Sequence, residues 1–118
     1  MTGIDLQKLE KLVNSELASK ILRSKIENNE LLFETNSDDL IEVIQFLKSN
    51  DKCKFKQLID IAGVDYPDNE KRFQLIYLFL SHEHNLRIKL LIHFNENKQI
   101  NSITKIFPSA NWMEREVF

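Results

Sequence analysis

His82-Glu83-His84 is the tripeptide of this chain best suited to hold a metal. Two imidazoles two residues apart leave a strand on the same side, and imidazole suits zinc or copper. The pair falls at the tip of a predicted hairpin, between Ser81 and Asn85, and no third ligand stands at a fixed spacing. His93 lies at the far end of the next predicted strand, roughly 20–30 Å away by strand rise. Solvated turn residues are therefore the expectation, and no metal site is assigned. Asp60, Asp65 and Asp68 suggest acid/base work, but Asp60 and Asp65 have opposite parity and leave opposite faces of a strand. A general acid or base needs a positioned partner, which this spacing does not supply. With only Gly3 and Gly63, neither a dinucleotide fingerprint nor a phosphate-cradling loop can form. Ser15, Ser81 and Ser109 occupy no nucleophile elbow, and Cys53 has no paired His in view. A single Cys also excludes an internal disulfide and a Cys-based zinc cage, and is read as a buried thiol. No catalytic, cofactor-binding or metal-ligating residue is expected.

Arg87, Lys89 and His93, with Lys52, Lys54 and Lys56, form a basic group that could meet phosphate. Eighteen acidic residues and a net charge of −2 favour a solvated sheet face instead. Phe73, Tyr77 and Phe79 could stack bases, but they sit on a strand expected to be buried. No nucleic-acid partner is expected.

The elements that carry these residues form an α+β pattern. Leu6, Leu9, Leu12, Val13 and Leu17 recur at helical spacing behind Asp5, predicting a helix from Ile4 to Ser19. Strands from Ile21 to Glu27 and Leu31 to Thr35 flank Asn28-Asn29, a pair that tolerates the positive φ of tight hairpins. Asn36-Ser37-Asp38-Asp39 opens a second helix whose stripe is Leu40, Val43, Ile44 and Leu47, ending near Asn50. Leu58 to Asp65 reads as a largely buried strand ended by Tyr66-Pro67. Phe73 to Ser81 is apolar on both alternations and reads as a central strand buried on both sides. Leu86 to Phe94 alternates cleanly, with Arg87, Lys89 and His93 on an exposed face. A last strand, Ile100 to Phe107, precedes a terminal helix. The expected architecture is a two-layer α+β domain over residues 1–118: a mixed or antiparallel sheet covered by helices, in the order α-β-β-α-β-β-β(-β)-α.

The terminal segment stands apart. Pro108 and Ser109 stop the preceding element, and a helix starting there runs only about two turns to Phe118, which is marginal in water. Trp112 stacks over Glu116, Met113 over Val117 and Glu114 over Phe118, so apolar groups and charges mix around the circumference. Such a helix belongs between two surfaces, and the chain reads as a piece that stops just after that helix begins. No apolar run approaches the roughly 20 residues of a membrane helix, and the N-terminus lacks a signal or transit pattern. A soluble, cytosolic, bacterial protein is expected.

Asn111-Trp112-Met113-Glu114-Arg115-Glu116-Val117-Phe118 resembles the start of the signature of the thirty-kilodalton subunit family of respiratory complex I, the C subunit of bacterial NADH–quinone oxidoreductase. Phe55 to Pro67, ending in Asp65-Tyr66-Pro67, is similar to the family's strand and turn. Phe73 to Tyr77, Leu80-Ser81, Asn85-Leu86-Arg87, Ser102-Ile103-Thr104 and Phe107-Pro108 follow in the family's order, so the resemblance runs from about Leu6 to Phe118. The family's basic, Pro-containing continuation is absent. The resemblance implies a cofactor-free scaffold subunit of the peripheral arm, packed against the forty-nine-kilodalton subunit near the quinone site. FMN, iron–sulfur clusters and quinone would belong to the complex as a whole, and membrane contact would be indirect, on the cytoplasmic side of the inner membrane. The mixing of charge and bulk on one short helix predicts that Trp112, Glu114, Arg115 and Glu116 serve the subunit interface and do no chemistry. The alternatives are the related subunit of a membrane-bound hydrogenase complex, a stand-alone binding module, and a small metal enzyme using His82 and His84.

Overall fold

The computed structural model describes residues 5–50, 53–65, 73–82, 85–94, 103–104 and 106–117, with the backbone alone at 65 and 115–117. The order is α1 (Leu6–Glu16), β1 (Ile21–Glu27), β2 (Glu30–Thr35), a 3-10 turn (Ser37–Asp39), α2 (Leu40–Ser49), β3 (Gln57–Asp65), β4 (Phe73–Ser81), β5 (Leu86–Phe94) and α3 (Ala110–Val117). The strands form one mixed sheet in the order β1-β2-β5-β4-β3. Every neighbouring pair is antiparallel except β2 and β5, which run parallel from Leu31↔Ile88 to Thr35↔Ile92. This is the expected two-layer α+β architecture.

Asp5 caps α1, its carboxylate accepting the Lys8 N–H at 2.8 Å. The helix ends at Glu16, three residues before the predicted Ser19. The Lys20 and Ile21 N–H groups both bond the Leu17 carbonyl, turning the chain into β1. Asn28 and Asn29 hold φ of 54° and 62°, the paired left-handed values of a two-residue hairpin turn. The predicted stripe of α2 is entirely buried, and with Leu6, Leu9 and Val13 of α1 it packs on one face of the sheet. That face supplies Leu31, Phe33, Leu75, Tyr77, Phe79, Ile88, Leu90 and Ile92.

Three expectations are corrected. β3 is an edge strand, not a largely buried one. Leu58 and Ile61 are buried, whereas Ala62, Gly63 and Val64 are exposed, and its register shifts between Leu58 and Asp60. An apolar run is buried on both faces only where a layer covers each face, and Ala62 and Val64 share with Ile76 and Gln74 the face the helices leave open. β4 is flanked on both edges but buried on one face only. Leu75, Tyr77, Phe79 and Ser81 are inside, while Gln74, Ile76, Leu78 and Leu80 are half-buried because the helices pack on the other face. The strand predicted over Ile100 to Phe107 is not formed by its described residues. The Ile106 and Phe107 N–H groups close a turn on the Ile103 carbonyl at 3.0 and 2.8 Å. Ile103, Ile106 and Phe107, spaced i, i+3 and i+4, all face the core, a helical-turn spacing rather than a strand's. Ile100 to Ser102 and Lys105 lie outside the described residues.

Candidate interaction surface

α3 is positioned by a buried carboxylate. Ala110 is fully buried and Met113 packs against the core, which turns the same side of the helix toward β3. Glu114, one turn beyond Ala110, is only 7% exposed, and its Oε2 accepts the Ile103 N–H at 2.9 Å. That bond ties α3 to the turn below it. The turn is held from its other side by Lys48 of α2, whose Nζ donates to the Ile106 carbonyl and lies 5.0 Å from the centre of the Phe107 ring. With Ala110 and Glu114 inward, Trp112 points out and is 70% exposed, a large area for an indole. The side chains of Arg115 and Glu116 lie outside the described residues. The four residues expected at an interface thus include one inward anchor and one outward aromatic.

In the core, the Tyr77 hydroxyl is buried with no hydrogen-bond partner among the described residues. Burial, with a smaller contribution from the Glu114 charge, pushes the phenol above its ordinary value. Burial likewise pushes the Cys53 thiol up to about 12, which keeps it protonated and unreactive at neutral pH.

The other candidates are dispersed. His82 meets the Gln57 side-chain oxygen, His93 lies 3.9 Å from Glu34, and His84 is outside the described residues. No group of three metal-ligating side chains gathers among the described residues. Asp60 accepts its neighbour's Ile61 N–H, and Asp68 and the Asp65 side chain fall outside the description. Arg87, Lys89 and His93 do share the sheet face away from the helices, but Lys89 is paired with Glu30 at 3.5 Å. Lys54 and Lys56 lie on the connector before β3, and Lys52 is not described.

That open sheet face carries a second feature. Arg23 bonds Glu34 at 2.6 Å and Lys25 pairs with Glu27 at 2.9 Å, beside the Lys89–Glu30 pair. These ion pairs border a concavity of about 300 Å³ floored by Leu32, Ile76 and Leu91. Its signal was present in the alternation of Arg23, Lys25 and Glu27 along β1, but its depth depends on β2 pairing with β5. Mutually satisfied ion pairs around an apolar floor offer a contact surface without a nucleophile, a poised base or a ligand cage.

Among the described residues, no helix is long and apolar enough to cross a membrane. Residues 33–118 match the family described as respiratory-chain NADH dehydrogenase, 30 Kd subunit. The C subunit of NADH-quinone oxidoreductase from Rhodospirillum rubrum is 38% identical, across 100% of this chain and 58% of that protein. The Wolbachia protein of the same name, from the Brugia malayi subspecies, is 47% identical across 69% of this chain and 43% of its own length. The chain spans about half the length of the curated relatives it matches. Among solved structures, a chain of the membrane-bound sulfane sulfur reductase, an archaeal respiratory membrane complex, shares the fold with a TM-score of 0.78. It is 20% identical, with 93% of this chain and 64% of that one aligned. On the match over residues 33–118 and the identity to these relatives, the chain belongs to the family of the respiratory-chain NADH dehydrogenase 30 Kd subunit.

Proposed function

We propose that this chain is a single scaffold domain in the peripheral arm of a proton-translocating NADH–quinone oxidoreductase. In this reading it supports the quinone-reducing module by contact with the forty-nine-kilodalton subunit and carries no catalytic residue. The observation that carries the reading is Trp112, 70% exposed on a helix whose opposite side is pinned by buried Glu114. Tryptophan is enriched where interfaces concentrate their binding energy, and its indole offers a large apolar area with an N–H donor. Arg115 and Glu116, next on the same helix, supply charges for the rim of that contact. FMN, iron–sulfur clusters and quinone reside in other chains of the complex; one Cys cannot supply the four thiolates of a cluster. The chain is held on the cytoplasmic side of the bacterial inner membrane through its partners. A hydrogenase-type complex is the alternative, and the 38–47% identity to NADH–quinone oxidoreductase subunits favours the first reading.

The test is assembly. Trp112→Ala and Arg115→Glu in the full-length subunit should each reduce the recovered complex containing the forty-nine-kilodalton partner at least tenfold. The domain's own melting temperature should stay within a degree or two for Trp112→Ala, whose side chain is mostly in water. A complex that assembles normally but loses turnover would instead give these residues a direct part in the chemistry.

A further inference from the structure

The sheet face opposite the helices divides into two halves of different character. On β1, β2 and β5 each of Arg23, Lys25 and Lys89 has an acidic partner on the same face. On β4 and β3 an apolar strip runs between Gln57, Asp60 and Gln74. Ile76, Leu78 and Leu80 are half-buried, Ala62 is exposed and Val64 is 38% exposed. The register aligns them into rows across the strands: Ala62, Ile76 and Leu91; Asp60, Leu78 and Lys89; Gln57, Leu80 and Arg87.

The charges bordering this apolar strip are placed asymmetrically. Arg87 is exposed and has no acidic partner among the described residues, although the neighbouring cations of the sheet are neutralised. Lys89 stands one row away on the same side. Asp60 lies on the opposite side of the strip, two strands from Lys89 across Leu78, about 10 Å by strand spacing. A two-layer α+β domain leaves its second sheet face to water or to a partner, and an apolar strip rimmed by polar residues on that face marks an interaction surface.

We propose that this half-face receives an amphipathic helix of a partner subunit, apolar toward Ile76, Leu78 and Leu80 and carrying a carboxylate over Arg87. The complementary helix has its acidic border on the β5 side and any basic residue on the β3 side, facing Asp60. With α3 on the helix layer, the domain is then gripped on two opposite faces and bridges two surfaces of the assembly. This inference rests on the subunit reading above but not on the role of Trp112, because the two surfaces lie on different sides of the sheet.

The experiment is site-specific photo-cross-linking in the intact, full-length complex, with a photoreactive side chain installed at Leu78. The expected product joins Leu78 to a helix of another subunit bearing at least one carboxylate within a turn of the joined residue. Arg87→Glu should then lower the yield of complex at least tenfold, and inverting that carboxylate to Lys in the same strain should restore most of it. The isolated domain carrying Arg87→Glu should melt as the parent does, since the side chain is exposed. Cross-linking to this chain's own residues, to a second copy, to a helix without carboxylates, or to nothing overturns the proposal. So does an Arg87→Glu complex formed in normal yield. If Trp112→Ala and Arg115→Glu assemble normally while the Leu78 product and charge rescue appear, the α3 contact fails and the sheet-face contact stands.

Discussion

Tyr77 places a hydroxyl in the core with no hydrogen-bond partner among the described residues, against the usual rule for buried polar groups. The ring stacks on Phe79 at 6.4 Å and is fully buried in the core, so its volume matters more than its oxygen. Tyr77→Phe keeps the ring and deletes the unsatisfied group, and should raise unfolding stability by about 1 kcal/mol in urea titration. A loss of similar size would reveal a hydrogen bond to the hydroxyl. Cys53 makes a pH-dependent counterpart. Unfolded, its thiol ionises near its ordinary 9.0; folded, burial holds the proton to about 12. Between those values the unfolded state binds fewer protons, so stability is full below pH 9 and falls as pH rises toward 12. The slope approaches about 1.4 kcal/mol per pH unit. Tyr77 shifts in the same direction and adds to the decline above its ordinary 10.0. Urea midpoints at pH 7.5 and 10.5 should differ clearly, and Cys53→Ala should flatten the dependence.

At the scale of the elements, the β1–β2 hairpin rests on two residues held at positive φ. Asn28→Ala and Asn29→Ala should each cost about 1 kcal/mol, and Asn29→Gly should cost nothing, as read by thermal melts. This turn, the Asp5 cap and the stripe of α2 were legible because each depends on neighbours within a few positions. The exposure of β3 was not, because edge or centre is decided by strands far away in sequence. Nor was the turn at Ile103 to Phe107, where three apolar residues fit both a short strand and a helical turn. Helix α3 was half legible: the mixture of charge and bulk around Trp112 is plain in sequence. That Glu114 is the charge turned inward follows only from the position of the Ile103 N–H. Glu114→Ala should strand that N–H and lower stability by about 1–3 kcal/mol, whereas Glu114→Gln keeps an acceptor and most of the stability.

At the scale of the molecule, the sheet has two parts: the hairpin β1–β2 and the meander β3–β4–β5, joined strand to strand only through the parallel β2–β5 ladder. β1 is an edge with a register shift near Leu22, which is 53% exposed. Hydrogen exchange should therefore be fastest in β1 and slowest in β5 and β4, with protection falling from the centre outward. Equal protection in β1 and β5 would mean that the sheet opens only as one unit.

The parallel ladder has a further consequence during synthesis. Leu31 can form its ladder with Ile88 only after every intervening residue has been made. At roughly 5–20 residues per second on the ribosome, the hairpin waits several seconds for its neighbour. Through that interval the edge of β2 that later pairs with β5 stays open, and Leu31 and Phe33 lack Ile88 and Leu90 beside them. A chaperone that holds nascent chains would therefore find its binding site in this hairpin. Slowing translation between Thr35 and Leu86 should lengthen the time that site stays open.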